Sequence, residues 1–168
     1  LIKIDIFYIT YIFISMEKAL FGAGCFWGVE ESFRKIPGVL NTEVGYSGGN
    51  TINPSYETVC NGNTNHAEVV LVEYNPNEIM YEDLVEHFWK CHDPTTLNRQ
   101  GPDFGTQYRS VIFYYDEMQK KIAEESKNKH AEEFNLNIVT EISEAREYYR
   151  AEEYHQKYIQ KTGLYCAV

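Results

Sequence analysis

The feature that most restricts how this chain can fold is a cysteine that lies between a short apolar run and a stretch with helical spacing of its apolar residues. The run covers residues 18–21, and Cys25 follows within the sequence Gly-Cys-Phe-Trp-Gly. Apolar residues then recur at three- and four-residue spacing until Pro37 and Gly38, which is typical of one buried helix face: Phe26, Val29, Phe33 and Ile36. The pattern predicts a strand that leads directly into a helix, with a thiol at the junction.

At the first turn of such a helix, Cys25 faces backbone N–H groups without intrahelical partners and the positive end of the helix dipole. Both stabilise a thiolate relative to a thiol. Gly24 and Gly28 let the backbone turn sharply and leave the sulfur approachable. We interpret Cys25 as a reactive thiol; the alternative is a structural cysteine buried in the core.

Size, charge and cysteine spacing exclude several classes of protein. A chain of 168 residues with 43% hydrophobic residues is expected to form one domain with a substantial core. A formal net charge of −10 argues against a nucleic-acid surface, which needs clustered Lys and Arg. The four cysteines lie far apart and form no C-x-x-C pair: Cys25, Cys60, Cys91 and Cys166. Neither a zinc site nor a disulfide scaffold is therefore expected, and no metal or other cofactor is predicted.

The first fifteen residues are apolar and need a separate interpretation. They begin with Leu rather than Met, carry a single Lys and are interrupted by Asp5. A signal peptide would need a basic start and a small-residue cleavage site, and a membrane span would need about twenty apolar residues. We expect a native start at Met16, with residues 1–15 a non-native or loosely attached leader and residues 16–168 one catalytic domain. A membrane anchor is the alternative for the leader.

Downstream, strand and helix patterns alternate along the chain. Strands are predicted at residues 39–46, 66–74, 108–115 and 136–142, and a turn at residues 53–56. Helices are predicted at residues 81–89, from an N-cap at Asp116, and from Ser143 to about Ile159, with a long loop over residues 92–107. This order predicts an α/β or α+β fold in which helices cover a mixed sheet.

Glu68 is a candidate acid because of its position in the strand predicted at residues 66–74. Side chains alternate along a strand, so Glu68 shares one face with Val70 and Val72. A carboxyl group partly removed from water there would have a raised pKa and could donate a proton near neutral pH. The alternative is a Glu at the strand end that faces water.

Tyr56, after a proline turn, and Tyr108, at the start of a predicted strand, are candidate hydrogen-bond donors. Together with a protonated carboxyl, two phenols can bind one polarised oxygen, although packing is the usual role in a chain with fourteen tyrosines. Five histidines leave open a Cys-dependent hydrolase, which would also need an oxyanion hole. A binding module that does not use Cys25 is a further alternative.

Motifs from about Lys18 to Cys166 resemble those of the peptide methionine sulfoxide reductase A family. In order they are Gly-Cys-Phe-Trp-Gly at 24–28, Gly-Tyr-Ser-Gly-Gly at 45–49, Asn-Pro-Ser-Tyr at 53–56, His-Ala-Glu at 66–68, His-Asp-Pro-Thr at 92–95, Asn-Arg-Gln-Gly at 98–101, Asp103, and Gly-Thr-Gln-Tyr-Arg-Ser at 105–110. The resemblance implies a two-layer α/β sandwich with a central mixed sheet, related to the ferredoxin-like plan. Asn65 stands where the family has Gly, and Asn tolerates a left-handed backbone.

The resemblance also implies a reaction, the reduction of the S-epimer of methionine sulfoxide, free or in oxidised proteins that need repair. Cys25 matches the nucleophile that attacks the sulfur of the sulfoxide. Glu68 matches the acid that protonates the oxygen, and Tyr56 and Tyr108 match the phenols that hydrogen-bond it. Protonation matters because the oxygen is otherwise a poor leaving group.

For substrate binding, the resemblance assigns Phe26 and Trp27 to aromatic walls around the methyl group, and Asp103 to the substrate backbone. Such walls would select one epimer, consistent with one enzyme for each sulfoxide epimer.

Cys166 matches the resolving cysteine of the family, which forms a disulfide with Cys25 that thioredoxin reduces. Cys60 and Cys91 receive no role. A cytoplasmic monomer without a nucleic-acid or stable membrane partner is expected.

Overall fold

The computed structural model describes residues 15–164, so most of the leader and Cys166 lie outside the described residues. Its strands are β1 (Glu17–Ala23), β2 (Val39–Ser47), β3 (Ala67–Tyr74), β4 (Arg99–Gln100), β5 (Asp103–Phe104), β6 (Ser110–Tyr114), β7 (Glu141–Glu144) and β8 (Tyr148–Arg150). Its helices are α1 (Phe26–Arg34), α2 (Tyr56–Cys60), α3 (Tyr81–Lys90), α4 (Glu117–Phe134) and α5 (Tyr158–Thr162). None of these helices is both long enough and apolar enough to cross a membrane.

Six strands form one mixed sheet in the order β7-β6-β1-β3-β2-β8. β6 and β7 run parallel, and the other neighbouring pairs of this sheet are antiparallel. The four central strands, in the order β6-β1-β3-β2, are connected through α1 and α3 as in the ferredoxin-like plan. The expected mixed sheet with covering helices is therefore confirmed.

The sheet is strongly curled, because its two outermost strands follow each other in the chain. β7 ends at Glu144 and β8 begins at Tyr148, although they lie at opposite edges. Six flat strands would hold the edges about 24 Å apart, whereas four residue steps reach at most about 14 Å. Gly45 makes room for the curl, since a Cβ there would lie 2.4 Å from the Tyr148 ring.

One face of the sheet packs against α1, α3 and α4 and forms the main core. Phe21 of β1 is fully buried there, with its ring centroid 5.0 Å from that of Phe33 and 5.4 Å from that of Phe88. The buried positions of α3 are those that the helical spacing predicts. In α1, Phe26, Val29 and Phe33 are buried as predicted, but Glu30 and Glu31 are buried as well, and Ile36 lies beyond the end of the helix. The other face carries a smaller apolar cluster: Leu20, Ala67, Val69, Leu71, Val111 and Phe113.

Two predictions for the C-terminal third are wrong. The strand predicted at residues 136–142 forms instead at Glu141–Glu144. The helix predicted from Ser143 to about Ile159 does not form, because β7, β8, a 3-10 turn and the short α5 occupy that stretch. β8 pairs with β2 at the sheet edge, and this pairing supplies the backbone hydrogen bonds that a helix would otherwise provide.

Two local predictions also need correction. The predicted turn at residues 53–56 ends one residue earlier than expected, because Tyr56 is the first residue of α2. The side chain of Ser55, the N-cap of this helix, accepts a hydrogen bond from the Thr58 N–H. Tyr108 does not open a strand but ends a 3-10 turn (Thr106–Tyr108) just before β6.

Replacing Phe21 by Ala should lower the free energy of unfolding by about 3–5 kcal/mol, because it leaves a cavity among three other aromatic rings. Phe134→Ala is the matched control: Phe134 is 54% exposed, and its replacement should cost less than about 1 kcal/mol. Urea unfolding followed by circular dichroism measures both losses. Equal losses in the two variants would contradict the core described above.

Candidate active site

The site lies where β1 ends and where α1 and β3 begin. Cys25 is the N-cap residue of α1 and is half-buried. Gly24, just before it, has a φ of +95°, and a Cβ there would lie 2.6 Å from the Gln100 side chain. Glycine suits this position because of both its backbone angle and its close contact with Gln100. Asn65, before β3, has a φ of +56°, the left-handed backbone expected of it.

Glu68 is the buried carboxyl group of the site. It lies near the start of β3 and is 2% exposed, so it does not face water. Its Oε2 accepts a 3.0 Å hydrogen bond from the backbone N–H of Phe26. Burial raises the pKa of Glu68 to about 8; the Phe26 N–H opposes the rise and the charge of Asp103 adds to it. The carboxyl is therefore mostly protonated at neutral pH.

Two phenols approach Glu68 from other elements. Tyr56 is the first residue of α2, and Tyr108 ends the turn before β6. Burial raises the pKa of each phenol above its ordinary value, and the negative charge of Glu68 adds to both rises. For Tyr108, the charges of Asp103 and Cys25 contribute as well. Both phenols therefore keep their protons at physiological pH and can donate hydrogen bonds.

Two aromatic residues follow Cys25 in the chain. Phe26 is fully buried, with its ring 5.9 Å from that of Tyr46. Trp27 is half-buried, and its indole stacks on the Tyr158 ring at a centroid distance of 3.9 Å. Phe26 thus belongs to the core, whereas Trp27 keeps part of its surface open.

Asp103 comes from the short hairpin of β4 and β5, where it lies opposite Gln100. The buried Gln100 side chain accepts from the Asp93 N–H at 2.9 Å and donates to the Asp93 carbonyl at 2.8 Å. The hairpin thereby brings the charge of Asp103 within electrostatic reach of Glu68 and Tyr108.

Sequence reasoning missed two residues of the C-terminal segment that join the elements of the site. Glu152 accepts a 2.8 Å hydrogen bond from the Tyr56 N–H and a 2.9 Å hydrogen bond from the Tyr46 hydroxyl. His155 is 1% exposed and accepts a 3.0 Å hydrogen bond from the indole N–H of Trp27. No local pattern in residues 143–159 marks either residue as part of the site, and the helix wrongly predicted there placed neither of them near it.

Cys60 also lies at the site, although the sequence analysis assigned it no role. It ends α2, and its thiol interacts with the Tyr56 hydroxyl one helical turn earlier. Burial raises the pKa of Cys60; the hydroxyl opposes this rise, and the charges of Glu68 and Glu152 add to it. Cys60 is therefore held in the thiol form, which is a weak nucleophile.

The chemistry available here is that of a thiol, an acid and two phenols. Over residues 15–164, no group of three or more His, Cys, Asp or Glu side chains is arranged to hold a metal ion. Six of the residues predicted from the sequence lie at this site: Cys25, Trp27, Tyr56, Glu68, Asp103 and Tyr108.

Comparison with known proteins gives the family. The peptide methionine sulfoxide reductase family matches residues 17–168. MsrA of Methanothermobacter thermautotrophicus is 58% identical over 147 residues, which cover 86% of this chain and 87% of that protein. Mxr1 from Saccharomyces cerevisiae in its reduced form matches with a TM-score of 0.86 and 38% identity, over 90% of this chain and 88% of that one.

Mxr1 has also been solved in complex with Trx2, and that structure matches with a TM-score of 0.62 and 25% identity, over 90% of each chain. The family match includes every element that contributes to the site, from β1 to the segment that carries Glu152 and His155. The chain belongs to the peptide methionine sulfoxide reductase family.

Proposed function

We propose that this chain, an oxidoreductase of the MsrA type, reduces the S-epimer of methionine sulfoxide, free or in proteins, with Cys25 as its nucleophile. The observation that carries the proposal is the buried, protonated Glu68, hydrogen-bonded to the first turn of the helix that Cys25 caps. The relatives are reductases, and the alternative of a Cys-dependent hydrolase is not supported.

The reaction begins when the Cys25 sulfur attacks the sulfur of the sulfoxide. Glu68 donates its proton to the sulfoxide oxygen, and Tyr56 and Tyr108 donate hydrogen bonds to it. The oxygen passes to Cys25, which becomes a sulfenic acid, and the substrate leaves as methionine. One oxygen atom has then moved from substrate to thiol.

Trp27 and Asp103 are proposed to orient the substrate. The half-buried indole offers a flat apolar surface two residues from the nucleophile, suited to the methyl group. The buried Phe26 ring packs against the His155 ring, which also contacts the indole. Asp103, half-exposed in its hairpin, is placed to accept from a substrate backbone N–H. Exchanging methyl and oxygen would put a polar oxygen against the indole and leave the phenols unpaired, which disfavours the other epimer.

Cys166 is proposed as the resolving cysteine. Its thiol attacks the sulfenic acid of Cys25, water leaves, and a disulfide forms that a thioredoxin dithiol then reduces by exchange. The complex of Mxr1 with Trx2 supports thioredoxin as the reductant. The raised pKa of Cys60 argues against Cys60 as the attacking thiol.

We further propose that residues 16–168 act as one catalytic domain, which the family match from residue 17 supports. The cytoplasm is the proposed compartment, because thioredoxin recycling requires a reducing environment. A monomer is the proposed working form.

Cys25→Ser should abolish reduction of methyl p-tolyl sulfoxide by dithiothreitol, since serine cannot accept the oxygen. Cys166→Ser should form about one equivalent of product but fail to turn over repeatedly with thioredoxin. Enantiomer-resolved chromatography measures both, and the S-enantiomer should be the one consumed. Sustained thioredoxin-driven turnover by Cys166→Ser would contradict the role of Cys166.

The rate of the first turnover should fall as pH rises through about 8, because Glu68 has its raised pKa there and loses the proton it donates. Glu68→Gln should lower the rate by roughly 10²- to 10⁴-fold and remove this alkaline decline. Glu73→Gln is the matched control on the same strand, and its profile should equal that of the wild type. Quenched-flow assays of methionine formation give the profiles; an alkaline decline that persists in Glu68→Gln would exclude Glu68 as its source.

Enzyme oxidised by one equivalent of substrate should contain a disulfide between Cys25 and Cys166. Alkylation of the remaining thiols followed by peptide mass spectrometry identifies the pair, with Cys60 and Cys91 recovered as alkylated thiols. A disulfide between Cys25 and Cys60 would overturn this assignment.

A further inference from the structure

We propose that Arg109 is a positioning residue for the reduction, because its guanidinium fixes the phenol of Tyr108 relative to the carboxyl group of Glu68. The inference rests on the proposed function, in which both groups act on the oxygen of the sulfoxide. Arg109 itself does not contact the reacting atoms and acts through the backbone that carries Tyr108.

Tyr108 needs such support because it lies on a short turn rather than within a long helix or a strand. The 3-10 turn at Thr106–Tyr108 comes between the hairpin of β4 and β5 and the start of β6. The Tyr108 N–H donates to the Gly105 carbonyl at 3.1 Å, and the Arg109 N–H donates to the Thr106 carbonyl at 3.3 Å. Hydrogen bonds of this kind have poorer geometry than those of an α-helix, so the turn alone holds the phenol loosely.

One nitrogen of the Arg109 guanidinium joins this turn to the segment that leads to Glu68. Its Nη1 donates a 3.0 Å hydrogen bond to the Thr106 carbonyl and a 3.1 Å hydrogen bond to the Asn65 carbonyl. Nη1 carries two protons, so each carbonyl can accept one of them. Asn65 has a left-handed backbone just before β3 and lies three residues before Glu68. The two chain segments whose side chains converge at the site are therefore bound to a single atom.

The guanidinium is itself held from its other sides. Its Nε donates to Oε2 of Glu141 in β7 at 3.2 Å, and the Arg109 side chain is 11% exposed. At the turn after β2, a Cβ on Gly48 would lie 2.9 Å from Nη2, so the backbone there packs closely against the guanidinium. A Cβ on Gly22 of β1 would lie 3.1 Å from the Glu68 carbonyl oxygen and 3.4 Å from that of Arg109. The donors of Arg109 therefore have a fixed position relative to the sheet.

This role requires the planar shape of the guanidinium rather than its charge. A lysine would keep the charge, but it presents its donors from one flexible point and cannot hold two carbonyls and Glu141 at these separate positions. Burial and the charge of Asp103 raise the pKa of Glu68, and burial and neighbouring negative charges raise that of Tyr108. Both groups thus keep their protons although a cation lies nearby, so Arg109 contributes to their distance rather than to their protonation.

The wild-type protein tests these hydrogen bonds directly. Nitrogen-15 spectra of the arginine side chains should show separate Nη1 and Nη2 resonances for Arg109, because the bonds of Nη1 oppose rotation about the Nε–Cζ bond. The exposed Arg146 should give one averaged resonance and serves as an internal control. An averaged resonance for Arg109 would overturn the proposal. This result can be read even if the chain fails to reduce sulfoxides, so it separates failure of this inference from failure of the proposed function.

Arg109→Lys keeps the positive charge but removes the planar set of donors. With the S-enantiomer of methyl p-tolyl sulfoxide, the maximal single-turnover rate should fall roughly 3- to 10-fold, the effect of one weakened hydrogen bond. The substrate concentration that gives half of this rate should change less than about 2-fold, because Trp27 and Asp103 are untouched. Arg34→Lys is the matched control: Arg34 also donates to a glutamate, Glu31, but lies at the end of α1, and its variant should equal the wild type.

A double-mutant cycle separates the positioning of Tyr108 from a general effect on the fold. In a Tyr108→Phe background the hydrogen bond of the phenol is already lost, so Arg109→Lys should lower the rate less than about 2-fold further. In a Tyr56→Phe background Arg109→Lys should keep its full effect, because Tyr56 is held by α2 and by Glu152 instead.

Equal losses from Arg109→Lys in the wild-type, Tyr108→Phe and Tyr56→Phe backgrounds would mean that Arg109 supports the fold alone and would overturn the proposal. An unchanged rate in Arg109→Lys would overturn it as well. If Arg109→Lys does not fold, the guanidinium resonances of the wild-type protein decide.

Discussion

The hydrogen bond from the Phe26 N–H to Glu68 is the interaction on which the site depends most. It joins the first turn of α1, and with it Cys25, to strand β3. A bare carboxylate at 2% exposure is costly, and a single backbone N–H does not compensate for lost water, so Glu68 has a pKa of about 8. The contact therefore fixes the position of the thiol relative to the acid, while burial, which the Phe26 N–H only partly opposes, keeps that acid protonated.

The curl of the sheet allows distant segments to reach this point. Only three residues connect the two edge strands, so β8 lies beside β2. The chain after β8 then runs along β2 and reaches α1. Gln156 bonds to both the N–H and the carbonyl of Val44, much as a further strand would, and Glu30 accepts the Lys157 N–H. The C-terminal segment thus acts as a clamp between sheet and first helix, and Glu152 and His155 extend it into the site.

The site combines one group placed to become an anion, the Cys25 thiol, with several groups that stay protonated at neutral pH. Burial raises the pKa of Glu68, Tyr56, Tyr108 and Cys60, so each is a proton donor at neutral pH. Cys25, as the N-cap of α1, lies where backbone N–H groups and the helix dipole stabilise negative charge. An oxygen-atom transfer needs both kinds of group within reach of one substrate, and a helix that starts against a buried strand provides them.

The sequence by itself determined the local features: a thiol at a helix start, the shared face of Glu68 and Val70, and a left-handed Asn65. These follow from periodicity and backbone sterics over a few residues. The course of residues 143–159 was decided only by tertiary structure, because pairing with β2 outcompeted a helix-like pattern. Tertiary structure also decided which distant residues contact the residues of the site. Trp27 and His155 lie 128 residues apart, and a contact at that separation depends on the curl of the sheet, which no local pattern encodes.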